Sequence, residues 1–103
     1  MPAKDFVHLH VHTDYSILKS ANQIPALARR LGELEMNACA ITDCGNLYGA
    51  LSFYYNMKKN GLQPIIGYEA YLTSGSRFDK SASLKPGELP YYTVVLLAEN
   101  LTG

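Results

Sequence analysis

Apolar and polar residues alternate through the first stretch of the chain. Val7, Leu9 and Val11 fall on one face of an extended backbone, and His8, His10 and His12 fall on the other. This pattern predicts a first strand over residues 5–12, and it gathers all three histidines of the protein into one element. A polar run over residues 13–20 then predicts a loop. Ile24, Leu27, Ala28, Leu31 and Leu34 recur at helical spacing, which predicts an amphipathic helix to about Glu35, with Asn22 as its cap and Pro25 tolerated in its first turn. Residues 38–42 are apolar or small and read as a strand buried on both faces, closed by a tight turn at residues 43–46. A second helix follows. Asn46 is its candidate cap, Leu47, Ala50, Leu51, Tyr54 and Met57 its expected buried stripe, and Asn60-Gly61 its left-handed stop. After Pro64, residues 65–72 predict a third strand in which Glu69 is the one carboxylate of a buried-looking run, and such a group needs a cation or several donors. Residues 73–90 are rich in Ser, Gly, Lys and Pro and predict a flexible insertion, and residues 91–98 predict a fourth strand.

Strands alternating with helices predict an α/β fold with a mostly parallel sheet, right-handed crossovers and helices outside. Ligands of such sheets gather at the carboxyl ends of the strands. His10, His12, Asp43 and Cys44 fall at that end and Glu69 lies near it, so residues far apart in the chain are expected around one rim. Each alone has a plainer reading: a lone histidine is more often a satisfied strand residue, and a charged helix face is usually only solvated. Three histidines at alternate positions point instead to a metal site.

The chain's 103 residues make one domain at most, and 48% hydrophobic residues suffice for a small core. Formal net charge is zero, so the totals give no electrostatic grip on DNA, RNA or an anionic membrane. The scattered Arg29, Arg30, Lys58, Lys59, Arg77, Lys80 and Lys85 do not make a nucleic-acid footprint. Tyr48, Tyr54 and Tyr55 fit helix packing better than base stacking. Cys39 and Cys44 are spaced outside a C-x-x-C pair, with no signal peptide or long apolar run, which reads as reduced thiols in the cytoplasm and no membrane. The last residues read as the start of an element that is cut off.

His10-Val11-His12-Thr13 after a strand, Ile41-Thr42-Asp43 with Gly45-Asn46-Leu47-Tyr48-Gly49, and Pro64-Ile65-Ile66-Gly67-Tyr68-Glu69 resemble the opening blocks of the PHP (polymerase and histidinol phosphatase) domain. Residues 6–16, 47–54, 66–77 and 95–103 resemble more closely the form of that domain that heads bacterial replicative DNA polymerases. The resemblance implies the first strands and helices of a distorted β/α barrel, truncated, with residues 1–103 as the amino-terminal portion of a single PHP domain. It also implies up to three metal ions at the strand carboxyl ends, with zinc or manganese the candidates here. Carried over by position, His10 and His12 match the H-x-H ligands, Asp43 the aspartate of the next block and Glu69 the bridging glutamate. Cys44 stands where metal-containing members usually carry histidine, Lys19 where the first loop is usually acidic, and Thr93 where the fourth strand often opens on histidine. A thiolate keeps a site usable, since it binds zinc well. An ammonium repels a dication, so Lys19 suits an emptied site in which it pairs with Glu69 or Asp43.

The resemblance therefore implies a degenerate PHP domain that serves a replicative polymerase as scaffold and partner-contact surface. The partners it implies are the remaining polymerase domains and a proofreading exonuclease, with DNA reached only through the parent polymerase. The polymerase carboxylates lie elsewhere, so this portion is expected to be inactive alone. The alternative is a metal-dependent phosphoesterase, in which ions on His10, His12, Asp43 and Glu69 generate hydroxide. An unrelated α/β domain with an anion-binding rim is a third reading. A Cys44 nucleophile served by His10 or His12 is geometrically conceivable, but no third group orients it.

Overall fold

The computed structural model describes residues 6–16, 20–73 and 92–102. Its elements run α1 (Ile24–Glu33), β1 (Ala38–Ile41), α2 (Ala50–Lys59), β2 (Gln63–Leu72) and β3 (Tyr92–Leu97). The sheet has three strands in the order β1-β2-β3. β1 and β2 run parallel, from Ala38 opposite Gln63 to Ile41 opposite Ile66. Crossing between them is α2, as the sequence pattern predicts. α1 packs on α2, and α2 on β2.

β3 departs from the expected parallel order: it runs antiparallel to β2, from Gly67 opposite Leu97 to Leu72 opposite Tyr92. A parallel return needs a crossover element, whereas the stretch between these strands carries no helical periodicity in sequence, which suits a direct return. The expected insertion at residues 73–90 lies outside the described residues apart from Thr73. Gly67 permits the close pairing, because a β-carbon there would run into the Leu96 carbonyl.

The histidine segment is not a full strand. It follows β1 in parallel through a bridge between His8 and Cys39, and the amides of Ala40 and Thr42 donate to the carbonyls of His8 and Val11, both at 2.8 Å. The ladder stops because the Val11 amide donates to the Thr42 hydroxyl at 2.8 Å rather than to a carbonyl. Its apolar face is also only partly used, since Leu9 is exposed and Val11 half-buried.

The core joins Ile24, Ala28 and Leu31 of α1, Cys39 and Ile41 of β1, Phe53 and Met57 of α2, and Leu62. Of the stripe expected on α2, Met57 is buried and Ala50 half-buried, but Leu47, Leu51 and Tyr54 face outward and Phe53 takes the central place. The cause is where the helix begins. Gly49, not Asn46, is its cap, and Phe53 and Met57, four residues apart, set the inward face. Asn46 instead accepts the Tyr48 amide at 3.1 Å in the preceding turn. At α1 the cap is Gln23, while Asn22 gives its side-chain amide to the His12 carbonyl at 3.2 Å. The left-handed Gly61 ends α2 as expected, and no helix among the described residues is long and apolar enough to cross a membrane.

Candidate metal centre

The backbone ladder continues past the end of β1 and sets the site. Cys44 and Glu69 form a parallel bridge, in which the Glu69 amide donates to the Asp43 carbonyl and the Gly45 amide to the Glu69 carbonyl, both at 2.9 Å. The side chains of Cys44 and Glu69 are thereby held as neighbours. Gly45 then turns the chain with a φ of 66°, where a β-carbon would lie 2.6 Å from the Tyr71 ring. From the other side of β1 comes His12. Its carbonyl takes hydrogen bonds from the Ser20 hydroxyl at 2.8 Å and from the Asn22 amide, which fixes the segment where it leaves β1.

Glu69 is the hub. Its Oε2 lies 2.7 Å from His12 Nε2 and accepts from the Cys44 thiol at 2.9 Å, and its Oε1 lies 3.5 Å from His10 Nε2. Cys44 Sγ is also 3.4 Å from His12 Nε2. The rings of His10 and His12 meet edge to face, with centroids 5.1 Å apart. Glu69 is buried, His12 half-buried and His10 exposed, so the cluster is floored by the sheet and open to solvent on the His10 side. The Cys44 hydrogen bond is the main cause holding the Glu69 carboxyl below the usual range. Burial opposes it, and the hydrogen bond from His12 and the fields of His12 and His10 add to it.

One ligand atom from each of His10, His12 and Glu69 can be chosen so that all lie within 4.8 Å of one another. Two imidazole nitrogens and a carboxylate are hard-to-borderline donors that suit a divalent ion. The donor set fits.

Asp43 engages the loop that follows the histidine segment. It is 1% exposed, and its carboxylate accepts the Thr13 amide at 2.6 Å, the Thr13 hydroxyl at 2.7 Å and the Ser16 hydroxyl at 2.8 Å. It ties the loop after the histidine segment to the end of β1. The third histidine also stays out of the cluster, since His8 is exposed and its ring lies 4.8 Å from that of Phe6. Thr93 is exposed on β3 opposite Tyr71, while Glu69 pairs with Val95. Lys19, and with it the pairing expected for its ammonium, lies outside the described residues. Sequence reasoning missed Thr13, Ser16 and Thr42. The available signal was a hydroxyl-rich segment immediately after a strand that ends beside a buried aspartate.

His10 and His12 facing a glutamate of β2 form a group that could hold a metal ion in an α/β fold, and the profile of the PHP domain matches residues 8–103, so the chain belongs to that family. Its relatives are more particular. Over 100 residues, 97% of this chain, it is 45% identical to the DNA polymerase III subunit alpha of Helicobacter pylori, covering 8% of that protein. It is 55% identical over 80 residues, 78% of this chain, to the protein of that name in Saccharopolyspora erythraea, covering 7% of it. To that of Mycobacterium tuberculosis it is 42% identical over 108 aligned positions, 95% of this chain and 9% of the relative. The chain thus spans less than a tenth of the length of these relatives.

Proposed function

We propose that the chain is the amino-terminal part of the PHP domain of a cytoplasmic bacterial replicative DNA polymerase. In this reading it acts as scaffold and partner-contact surface, and the sheet described above is the beginning of the family's distorted β/α barrel. The remaining polymerase domains, and a proofreading exonuclease subunit, are the partners this reading assigns. Nucleotide transfer belongs to another part of such a polymerase, and DNA is met only through it.

The site is a reduced one. His10, His12 and Glu69 would hold a single dication, zinc or manganese, which when bound supplies a positive charge that cross-links the histidine segment to β2. The observation that carries this reading is the engagement of Asp43 with Thr13 and Ser16, which uses both of its oxygens for loop structure. A phosphoesterase centre that generates hydroxide and neutralises phosphate charge calls for carboxylates free to hold its ions, and Glu69 is the one carboxylate in the described cluster.

Metal analysis paired with hydrolysis of bis(4-nitrophenyl) phosphate separates this reading from the phosphoesterase alternative. The expected result is at most one equivalent of metal and no turnover above the metal-free control, in the wild-type chain and in Lys19→Asp alike. Several equivalents of metal with steady turnover would overturn the scaffold reading. For the parentage, the chain replaces the matching residues of the Helicobacter pylori subunit, and primer extension by the hybrid is expected to persist.

A further inference from the structure

The loops that follow the histidine segment and β1 enclose a second hollow. Asp14, Tyr15, Asn46 and Tyr48 line a cavity of about 350 Å³. We infer that this cavity is a docking site for an arginine side chain presented by a protein partner. It gives the partner-contact reading a place and a chemistry, and it is independent of the metal reading, since none of His10, His12 and Glu69 lines it.

Two phenol rings serve as walls. Gly49 lets the Tyr15 ring lie against the start of α2, because a β-carbon there would come within 2.9 Å of it. Tyr48, which the sequence pattern assigns to helix packing, instead precedes α2 in a turn and is 79% exposed. The backbone of that turn is fixed. The Tyr48 amide donates to Asn46 Oδ1 at 3.1 Å, and Asn46 Nδ2 donates to the Cys44 carbonyl at 3.0 Å. On the facing loop the Asp14 amide donates to the Asn22 carbonyl at 2.8 Å, which anchors the residue that carries the carboxylate.

Aromatic faces beside a carboxylate select a cation. None of the described residues lining the cavity is cationic, so nothing there would hold the phosphate of a nucleotide and Asp14 would repel it. Asn46 is also a poor reader of a base edge, because its side-chain oxygen already takes the Tyr48 amide. Among cations the guanidinium fits best: it is planar, stacks on aromatic rings and offers a carboxylate two parallel donors, whereas an ammonium is a point charge. The surroundings point to a protein as its source. Leu51 and Tyr55 follow Tyr48 at helical spacing and are both exposed, so an apolar row continues from the cavity along α2. Free arginine would add an α-carboxylate that Asp14 repels.

The test titrates acetyl-Gly-Arg-Gly-amide into the isotope-labelled 103-residue chain, with a chelator present, and follows the backbone amide resonances. Shifts are expected at Asp14, Tyr15, Asn46 and Tyr48, saturating at concentrations on the order of millimolar and weakening with added salt. The lysine analogue and free arginine should bind more weakly, and thymidine monophosphate should leave these amides unmoved. Asp14→Asn and Tyr48→Ala change exposed side chains, so both should keep the wild-type fold in their own spectra and each weaken the peptide by about 3- to 5-fold. Peptide shifts absent from these four amides, a response to the nucleotide in place of the peptide, or unchanged affinity in both variants would overturn the docking site. A lysine peptide that binds as tightly would overturn the choice of guanidinium, and free arginine that does so would overturn the protein source. Each of these failures leaves the scaffold reading standing, because that is read from metal content and primer extension.

Discussion

Asp43 and Glu69 stand on adjoining parallel segments, are both nearly covered, and have opposite neighbours. Asp43 is surrounded by an amide and two hydroxyls, whose protons stay in place at any ordinary pH. Glu69 is surrounded by two imidazoles and a thiol, each of which exposes a lone pair once its proton leaves. Permanent donors make the first carboxylate a knot that ties a loop. Exchangeable donors make the second a place where a cation can take over the protons' role. Two carboxylates of one rim are thus divided between structure and chemistry by their partners, not by their own burial.

Removing the knot should give the larger effect. Asp43→Ala leaves the Thr13 amide and the Thr13 and Ser16 hydroxyls without their acceptor, in a pocket where Thr13 is fully buried and Ser16 only 6% exposed. Lost hydrogen bonds to a charged group, together with buried donors left unmet, are expected to cost about 3–5 kcal/mol, read from urea unfolding. Asp43→Asn keeps one acceptor oxygen and should cost roughly half as much. If it folds, it should take up the same dication at His10, His12 and Glu69 as wild type does. An alanine variant within about 1 kcal/mol of wild type would show that the donors find water instead, and the contrast with Glu69 would collapse.

The sequence already carried much of this division, but not its assignment. The β1-α2-β2 unit follows from a short apolar run, a helical stretch closed by Asn60-Gly61 and a restart at Pro64, all local signals. His10, His12 and Glu69 were legible as a set because histidines at alternate positions and a carboxylate in an apolar strand are each costly without partners. Which carboxylate would meet the histidines was not legible. That depends on the register of three segments against one another, and in particular on the Cys44–Glu69 bridge that continues the ladder beyond β1. Likewise the reversal of β3 and the inward turn of Phe53 are tertiary outcomes. Leu51 and Phe53 are equally apolar in sequence, and only the start of α2 at Ala50 decides which one faces the sheet.

Glu69 should give a smaller effect that depends on pH. Its carboxyl titrates lower in the folded chain than in the unfolded one, chiefly through the Cys44 hydrogen bond. As pH falls, the unfolded state therefore binds the proton first, so the stability Glu69 contributes is complete above the ordinary glutamate value of about 4.3 and is lost as pH drops through the lower folded value. With a chelator present, urea stability of wild type should decline across that acid window more steeply than that of Glu69→Gln. The difference at neutral pH is expected to be no more than about 1 kcal/mol, because His10 is largely exposed and water screens its field. Equal acid slopes would mean that the cluster contributes no such linkage.

The two thiols sharpen the contrast without changing stability. Cys39 is fully covered in the core between the helices and the histidine segment, and burial raises its pKa from 9.0 to about 11. That rise alone leaves about 100-fold less thiolate than an ordinary cysteine presents, and the packing closes it to reagent as well. Cys44 is only half-buried on the open rim. Alkylation of the native chain with iodoacetamide at pH 8, followed by peptide mass mapping, should therefore label Cys44 first and reach Cys39 only as fast as the core opens. Zinc should slow labelling at Cys44 and leave the Cys39 rate unchanged, because only one of the two sulfurs faces ligands that a cation can share. Equal labelling of the two, in either condition, would mean that the rim and the core are not separated in the way the distances around Asp43 and Glu69 require.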